Sequence, residues 1–165
     1  MTDSDQLIRE IGNSLKSRRL WLATAESCTG GLLGHLITSV AGASEFYHGG
    51  FITYSNSSKE IWLGVPTATL KLYGAVSMET VLEMARGVRT KFDDQYQAEN
   101  IIGVSISGIA GPGGGTPLKP VGTVWIGVSS ATRDEAFDFH FKGERGEIKT
   151  QAALKALELL LNHLR

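Results

Sequence analysis

Leu20-Trp21-Leu22-Ala23, followed through Thr24 by Ala25-Glu26-Ser27-Cys28-Thr29-Gly30-Gly31, carries the pattern that sets the fold class of this chain. The first four residues are a short apolar run of strand character. The chain then turns small and polar, ends on two glycines, and continues from Leu32 to Val40 as a predicted helix. A buried strand feeding directly into a helix through a short polar turn is the unit from which α/β layers are built.

Working outward, Leu7, Ile8, Ile11 and Leu15 recur at helical spacing after Asp3 and Ser4, either of which can cap a first helix. Beyond the central unit, Gly50 to Tyr54 crowds aromatic and β-branched residues and predicts a second strand. Ser55-Asn56-Ser57-Ser58 reads as a turn holding several N-cap candidates, with a short helix from Lys59 to Leu63. Pro66 and Gly74 bracket another helix, and Ser77 caps a longer one that aligns Val81, Met84, Ala85, Val88 and Phe92. Ile101 to Ser107 is apolar or small on both faces, as a strand covered on both sides must be. A glycine- and proline-rich loop occupies Gly108 to Pro120, and Gly122 to Ser129 is another largely apolar strand. Phe137-Asp138-Phe139-His140-Phe141 alternates strictly and predicts a strand wet on one side, near an edge. A last helix begins near Arg145 and turns Ala152, Leu157, Leu160, Leu161 and Leu164 inward. No repeat and no long linker divides the chain, so residues 1–165 are expected to form one three-layer α/β/α sandwich around a mixed sheet.

Composition narrows the function. A chain of 165 residues buries roughly 70% of its unfolded surface. Sixteen Lys and Arg against seventeen Asp and Glu give a net charge of −1, which offers no electrostatic footprint for nucleic acid or an anionic membrane. No apolar run approaches the roughly 20 residues that span a bilayer. The start Met1-Thr2-Asp3-Ser4-Asp5 is polar and acidic, unlike a signal peptide, and a cytoplasmic location is expected. Cys28 is the only cysteine, which excludes an internal disulfide and a cysteine-rich zinc site. His35, His48, His140 and His163 form no metal-binding spacing, so neither a metal nor another cofactor is expected. Apolar strands near an edge are compatible with a homodimer.

Two concentrations of residues carry chemistry. Ser27 lies where a strand meets a helix, so unpaired N–H groups and the helix dipole there favour negative charge, either a bound phosphate or a developing oxyanion. Gly30 and Gly31 leave the backbone open to close approach. The arrangement suits a nucleophile attacking a carbonyl, and it equally suits an ordinary pair of caps, Ser27 and Thr29, beside packing glycines. Cys28 is a rival nucleophile, although a single cysteine is usually buried and inert. The glycines of the G-x-S-x-G elbow are missing, and no histidine has an evident acid partner. Lys59, just after the strand that ends in Tyr54, is a base if burial lowers its pKa, with Tyr54 passing the proton; otherwise both are surface residues. The second concentration is Ser107-Gly108-Ile109-Ala110-Gly111-Pro112-Gly113-Gly114-Gly115. Such a loop can cradle phosphate or merely connect two strands, and it lacks both the P-loop and the dinucleotide fingerprint. Arg145 can fork onto a phosphate or stand in solvent.

Taken in order, the runs TAESCTGG, GGFITYSN with Lys59 five residues after Tyr54, SGIAGPGGG, KPVGTVW and the Gly-Glu-Arg before the last helix resemble one family. It is the C-terminal domain of the competence/damage-inducible CinA proteins, whose stand-alone members are nicotinamide-nucleotide amidases. The resemblance runs from about Ser17 to the C-terminus. It implies metal-free hydrolysis of the carboxamide of nicotinamide mononucleotide to nicotinate mononucleotide and ammonia, in pyridine-nucleotide salvage or a competence- and damage-linked role. By matching motif it implies Ser27 as nucleophile, Lys59 and Tyr54 as its activating pair, and Thr29, Gly30 and Gly31 as oxyanion donors. Ser44, Ser107, Gly111, Gly113, Gly114 and Arg145 would line the nucleotide site, Arg145 meeting the phosphate. The larger CinA proteins carry an N-terminal molybdopterin-binding-like domain with ADP-ribose pyrophosphatase activity, and neither is expected in a chain that opens on a short helix. Ser57-Ser58 stands where relatives often have an acidic and a small residue, a departure that bears on Lys59. Two other readings remain at this point: an amidase for another small amide, and a non-catalytic nucleotide-binding module.

Overall fold

The computed structural model of the chain describes residues 3–92 and 97–165. In chain order the helices and strands are α1 (Asp3–Ser17), β1 (Trp21–Glu26), α2 (Leu32–Thr38), β2 (Tyr47–Ile52), α3 (Asn56–Leu63), α4 (Thr67–Tyr73), α5 (Met78–Lys91), β3 (Ile101–Gly108), β4 (Thr123–Ser129), β5 (Asp134–His140) and α6 (Arg145–His163). The five strands form one sheet in the order β2-β1-β3-β4-β5. β1 pairs in parallel with both β2 and β3, while β4 lies antiparallel between β3 and β5, so the sheet is mixed as expected.

Strand alternation sorts the side chains into two cores. Leu22, Ile102, Val104, Ile106, Val124, Ile126 and Val128 face the layer made by α1, α2 and α6, meeting Ile11, Leu33, Ala152 and Leu160. Ala23, Ala25 and Ile101 face the opposite layer, with Leu63, Leu70, Met84 and Val88 from α3, α4 and α5. The second layer sits unusually close. A Cβ at Gly103 would lie 2.1 Å from the Ala85 carbonyl oxygen, and one at Gly127 would lie 2.7 Å from that of Val81. Between them, Ser105 donates its hydroxyl to the Val81 carbonyl at 2.6 Å. Small residues on the sheet therefore let the α5 backbone rest directly on it.

β2 differs from the expected Gly50 to Tyr54 and begins three residues earlier, at Tyr47. Its glycines hid it, because they look like turn residues but serve close packing. A Cβ at Gly50 would fall 2.1 Å from Thr24 Oγ1 on β1, and that hydroxyl shares a 2.7 Å hydrogen bond with Tyr47. Thr53 and Tyr54 consequently fall outside the strand, where their carbonyls are free to serve the site. β5 is an edge strand, and it also starts earlier than the alternating aromatics suggest. α3 takes in Asn56 to Ser58, which the sequence reads as a turn. No helix among the described residues is long and apolar enough to cross a membrane.

Candidate active site

Ser27 follows the last residue of β1, at the end of the sheet where parallel β1, β2 and β3 all finish, the usual place for an α/β site. Its N–H donates to the Ile106 carbonyl at 2.9 Å, which ties the residue to the neighbouring strand. Lys59 comes from α3. Ser55 caps that helix reciprocally: its hydroxyl accepts from the Ser58 N–H, and its own N–H donates to the Ser58 hydroxyl, each at 3.1 Å. Ser58, the departure noted in the sequence, is thus a working part of the cap, and the cap fixes the first turn from which Lys59 projects inward.

The ammonium of Lys59 ends beside Ser27. Nζ donates to Ser27 Oγ at 2.9 Å, to the Thr53 carbonyl at 2.7 Å and to the Tyr54 carbonyl at 3.4 Å. Lys59 is only 1% exposed, and none of these partners is a carboxylate. Burial therefore dominates and lowers its pKa from 10.5 to about 8. Cys28 lies next to this pair. Burial pushes its thiol up to about 11, so at neutral pH it is a protonated wall residue and not the rival nucleophile.

Tyr54 departs from the expected relay. Tyr54 is 61% exposed and its phenol oxygen accepts from Arg145 Nη2 at 2.8 Å, while Lys59 reaches Ser27 without an intermediary. Tyr54 serves Lys59 through its backbone carbonyl instead. Arg145, the first residue of α6, also donates from Nη1 to the Gly111 carbonyl at 2.5 Å, so the guanidinium joins that helix to the glycine loop.

Of the expected oxyanion donors Thr29, Gly30 and Gly31, the two glycines are also placed differently. Gly30 gives its N–H to the Ser27 carbonyl at 3.1 Å, and Gly31 gives its N–H to Glu26 Oε2 at 3.0 Å. Glu26 Oε2 further accepts from Leu33 N–H at 3.1 Å, and Oε1 from Gly34 N–H at 2.8 Å. This carboxylate, 2% exposed, fills the N-terminus of α2 with an internal anion, a role the sequence reading did not assign. A carboxylate directly before a glycine-opened helix was the available signal. The Thr29 hydroxyl is buried without a partner. Among the described residues, the N–H groups of Cys28 and Thr29 donate to no acceptor on another residue, which leaves them as the free amides of the turn.

A cavity of about 270 Å³ opens over Ser27, Lys59 and Cys28. Tyr54, Arg145, Ser107, Gly111, Gly113 and Gly114 line it, together with Ala75, Val76 and the Ile109-Ala110 segment. Ser107 donates its hydroxyl to the Ala75 carbonyl at 2.7 Å, anchoring the α4–α5 connection over the cavity. Ser44 is not part of it. It is exposed in the turn just before β2, and because β2 runs parallel to β1 that turn lies at the opposite end of the sheet from Ser27. Among the described residues no three His, Cys, Asp or Glu side chains are grouped to hold a metal.

Residues 4–164 match the family described as the CinA C-terminal domain. A protein of Enterobacter agglomerans named nicotinamide-nucleotide amidohydrolase PncC is 45% identical over 157 residues, covering 94% of this chain and 92% of that protein. The one so named from Escherichia coli K12 is 44% identical over 167 residues, covering 97% and 95%. A CinA-like protein of Cytophaga hutchinsonii is 45% identical over 163 residues, but the chain spans only 38% of its length. Among solved structures, a CinA superfamily protein from Klebsiella pneumoniae superposes with a TM-score of 0.90 at 34% identity, over 99% of this chain and 98% of that one.

Proposed function

The chain belongs to the CinA C-terminal domain family, and on that premise we propose that it is a nicotinamide-nucleotide amidase in which Ser27 is the nucleophile and Lys59 its base. The observation that carries this reading is the 2.9 Å contact between Lys59 Nζ and Ser27 Oγ, made by a buried lysine whose pKa has fallen to about 8. A solvated lysine would need neither the burial nor the partner. Relatives of nearly the same length, named for hydrolysis of a nicotinamide nucleotide, support the choice of substrate.

The reaction proceeds in two halves. Neutral Lys59 takes the Ser27 proton as Oγ attacks the carboxamide carbon, and the tetrahedral oxyanion turns toward the amides of Cys28 and Thr29. The C–N bond then breaks, and Lys59 returns the proton to the leaving nitrogen, releasing ammonia and an acyl-serine. Water, deprotonated by Lys59, attacks the ester, and nicotinate mononucleotide leaves with Ser27 restored. Arg145, held at the cavity mouth by Tyr54 and Gly111, meets the remote phosphate and positions the amide.

The test is release of ammonia from nicotinamide mononucleotide by the purified protein. Ser27→Ala should abolish turnover and leave mononucleotide affinity within a few-fold. Ammonia from another small amide but none from the mononucleotide would overturn the substrate, and full activity in Ser27→Ala would overturn the mechanism.

A further inference from the structure

Arg145 lines the cavity, and α6 carries a second cation, Lys149, just outside that lining and beside the turn that follows Ser27. Lys149 stands four residues later, one turn along the same helix face, where side chains at this spacing are neighbours roughly 5–6 Å apart at Cβ. Its Nζ comes within 3.7 Å of the point where a Cβ on Gly30 would sit. Gly30 has a φ of +61° and no side chain, so nothing separates the ammonium from the turn that carries the nucleophile. The charge is felt inside the cavity, where it opposes the upward push that burial exerts on the Cys28 thiol. Among the described residues Lys149 makes no ion pair and no side-chain hydrogen bond. Its neighbours on α6 differ: Gln151 and Thr150 bond back to the helix, and Lys155 pairs with Glu158.

The rest of the site sharpens the point. The N-terminus of α2, the obvious place for an anion, is already filled by the Glu26 carboxylate. Lys59 is committed to Ser27 and two carbonyls, and two of the Arg145 donors are spent on Gly111 and Tyr54. A phosphate monoester near pH 7 carries close to two negative charges. We infer that Lys149 is the second cation of a phosphate subsite, which it forms with Arg145 on one face of α6 to take the phosphate of the amide substrate. The inference rests on the amidase reading only for the identity of that substrate.

The experiment measures binding apart from turnover. In Ser27→Ala protein, nicotinamide mononucleotide and nicotinamide riboside are titrated by calorimetry with Lys149 intact, with Lys149→Ala and with Lys149→Arg. Lys149→Ala should weaken the mononucleotide by roughly tenfold or more and leave the riboside unchanged, since a charge-assisted contact has been lost. Lys149→Arg should stay within a few-fold of the parent, and raising the salt should narrow the gap between the two ligands. Equal weakening of both ligands, no change in either, or no measurable mononucleotide binding by the parent overturns the inference. Ammonia release by the wild-type protein is read separately. If phosphate-dependent binding follows Lys149 but no ammonia appears, the amidase reading falls and the subsite stands.

Discussion

Lys59 bears an electrostatic cost that only its position explains. A charged ammonium at 1% exposure with no carboxylate beside it is held against its preference, so the folded chain releases the proton more readily than the unfolded one. Two consequences follow with opposite readouts. In the proposed mechanism Lys59 acts as the neutral amine, so kcat/KM for ammonia release should rise with pH through about 8 and level off above it. Between about 8 and 10.5 the unfolded chain binds more protons at this residue than the folded one, so stability rises with pH across that window, by at most about 1.4 kcal/mol per unit. Below the window the whole penalty is present. The stability difference between wild type and Lys59→Met, from urea unfolding at several pH values, isolates this group from the others that titrate there. It should climb in favour of wild type from pH 8 to 10.5, and a flat difference would contradict the burial argument. Lys59→Met should also lower turnover by about 10²–10⁴-fold. Ser27 and Lys59 were both legible as candidates in the sequence. What was not legible is that Tyr54 points to Arg145, because a residue at a strand end can turn its side chain either way, and only packing chooses.

At the scale of elements, α2 and α5 show how local rules are overridden. Gly31, at the N-terminus of α2, has a φ of +98° and supplies no capping side chain. The cap comes instead from Glu26, across the turn, and it satisfies three N–H groups at once. Glu26→Gln keeps the size but removes the charge and turns an NH2 group toward amide donors. It should cost about 2–4 kcal/mol, seen as a lower Tm, since charge-assisted bonds to buried amides are worth more than neutral ones. A Tm within a degree of wild type would mean that the turn holds itself. The same substitution loosens the Cys28 and Thr29 amides, so turnover should fall as well. α5 illustrates the converse. Its apolar stripe was plain from Val81, Met84, Ala85 and Val88, but its depth was not. Depth depends on Gly103, Ser105 and Gly127 of two other strands, and no periodicity within α5 reports on those.

For the whole molecule, the sheet is shared by two cores, one beneath α1, α2 and α6 and one beneath α3, α4 and α5. Neither layer can leave without exposing the strands that the other also covers. Leu160→Ala in the first layer and Met84→Ala in the second should each cost about 2–5 kcal/mol. Unfolding should remain a single transition in both variants, with far-ultraviolet circular dichroism and tryptophan fluorescence coinciding. Separate transitions would mean that the layers are independent. From the sequence alone came the three-layer α/β class with its mixed sheet, the burial of β3, and the strand-to-helix turn at Ser27 with Lys59 as its candidate partner. These follow from side-chain period and from residue types that act within a few positions of one another. Contacts among residues far apart in the chain came from the folded arrangement: Lys59 on Ser27, Tyr54 on Arg145, Glu26 in place of an outside anion, Lys149 beside Gly30, and Ser44 at the far end of the sheet from Ser27. Local patterns set which face a residue takes, but not which distant element arrives there. That choice belongs to strand order and to the space that glycines leave open.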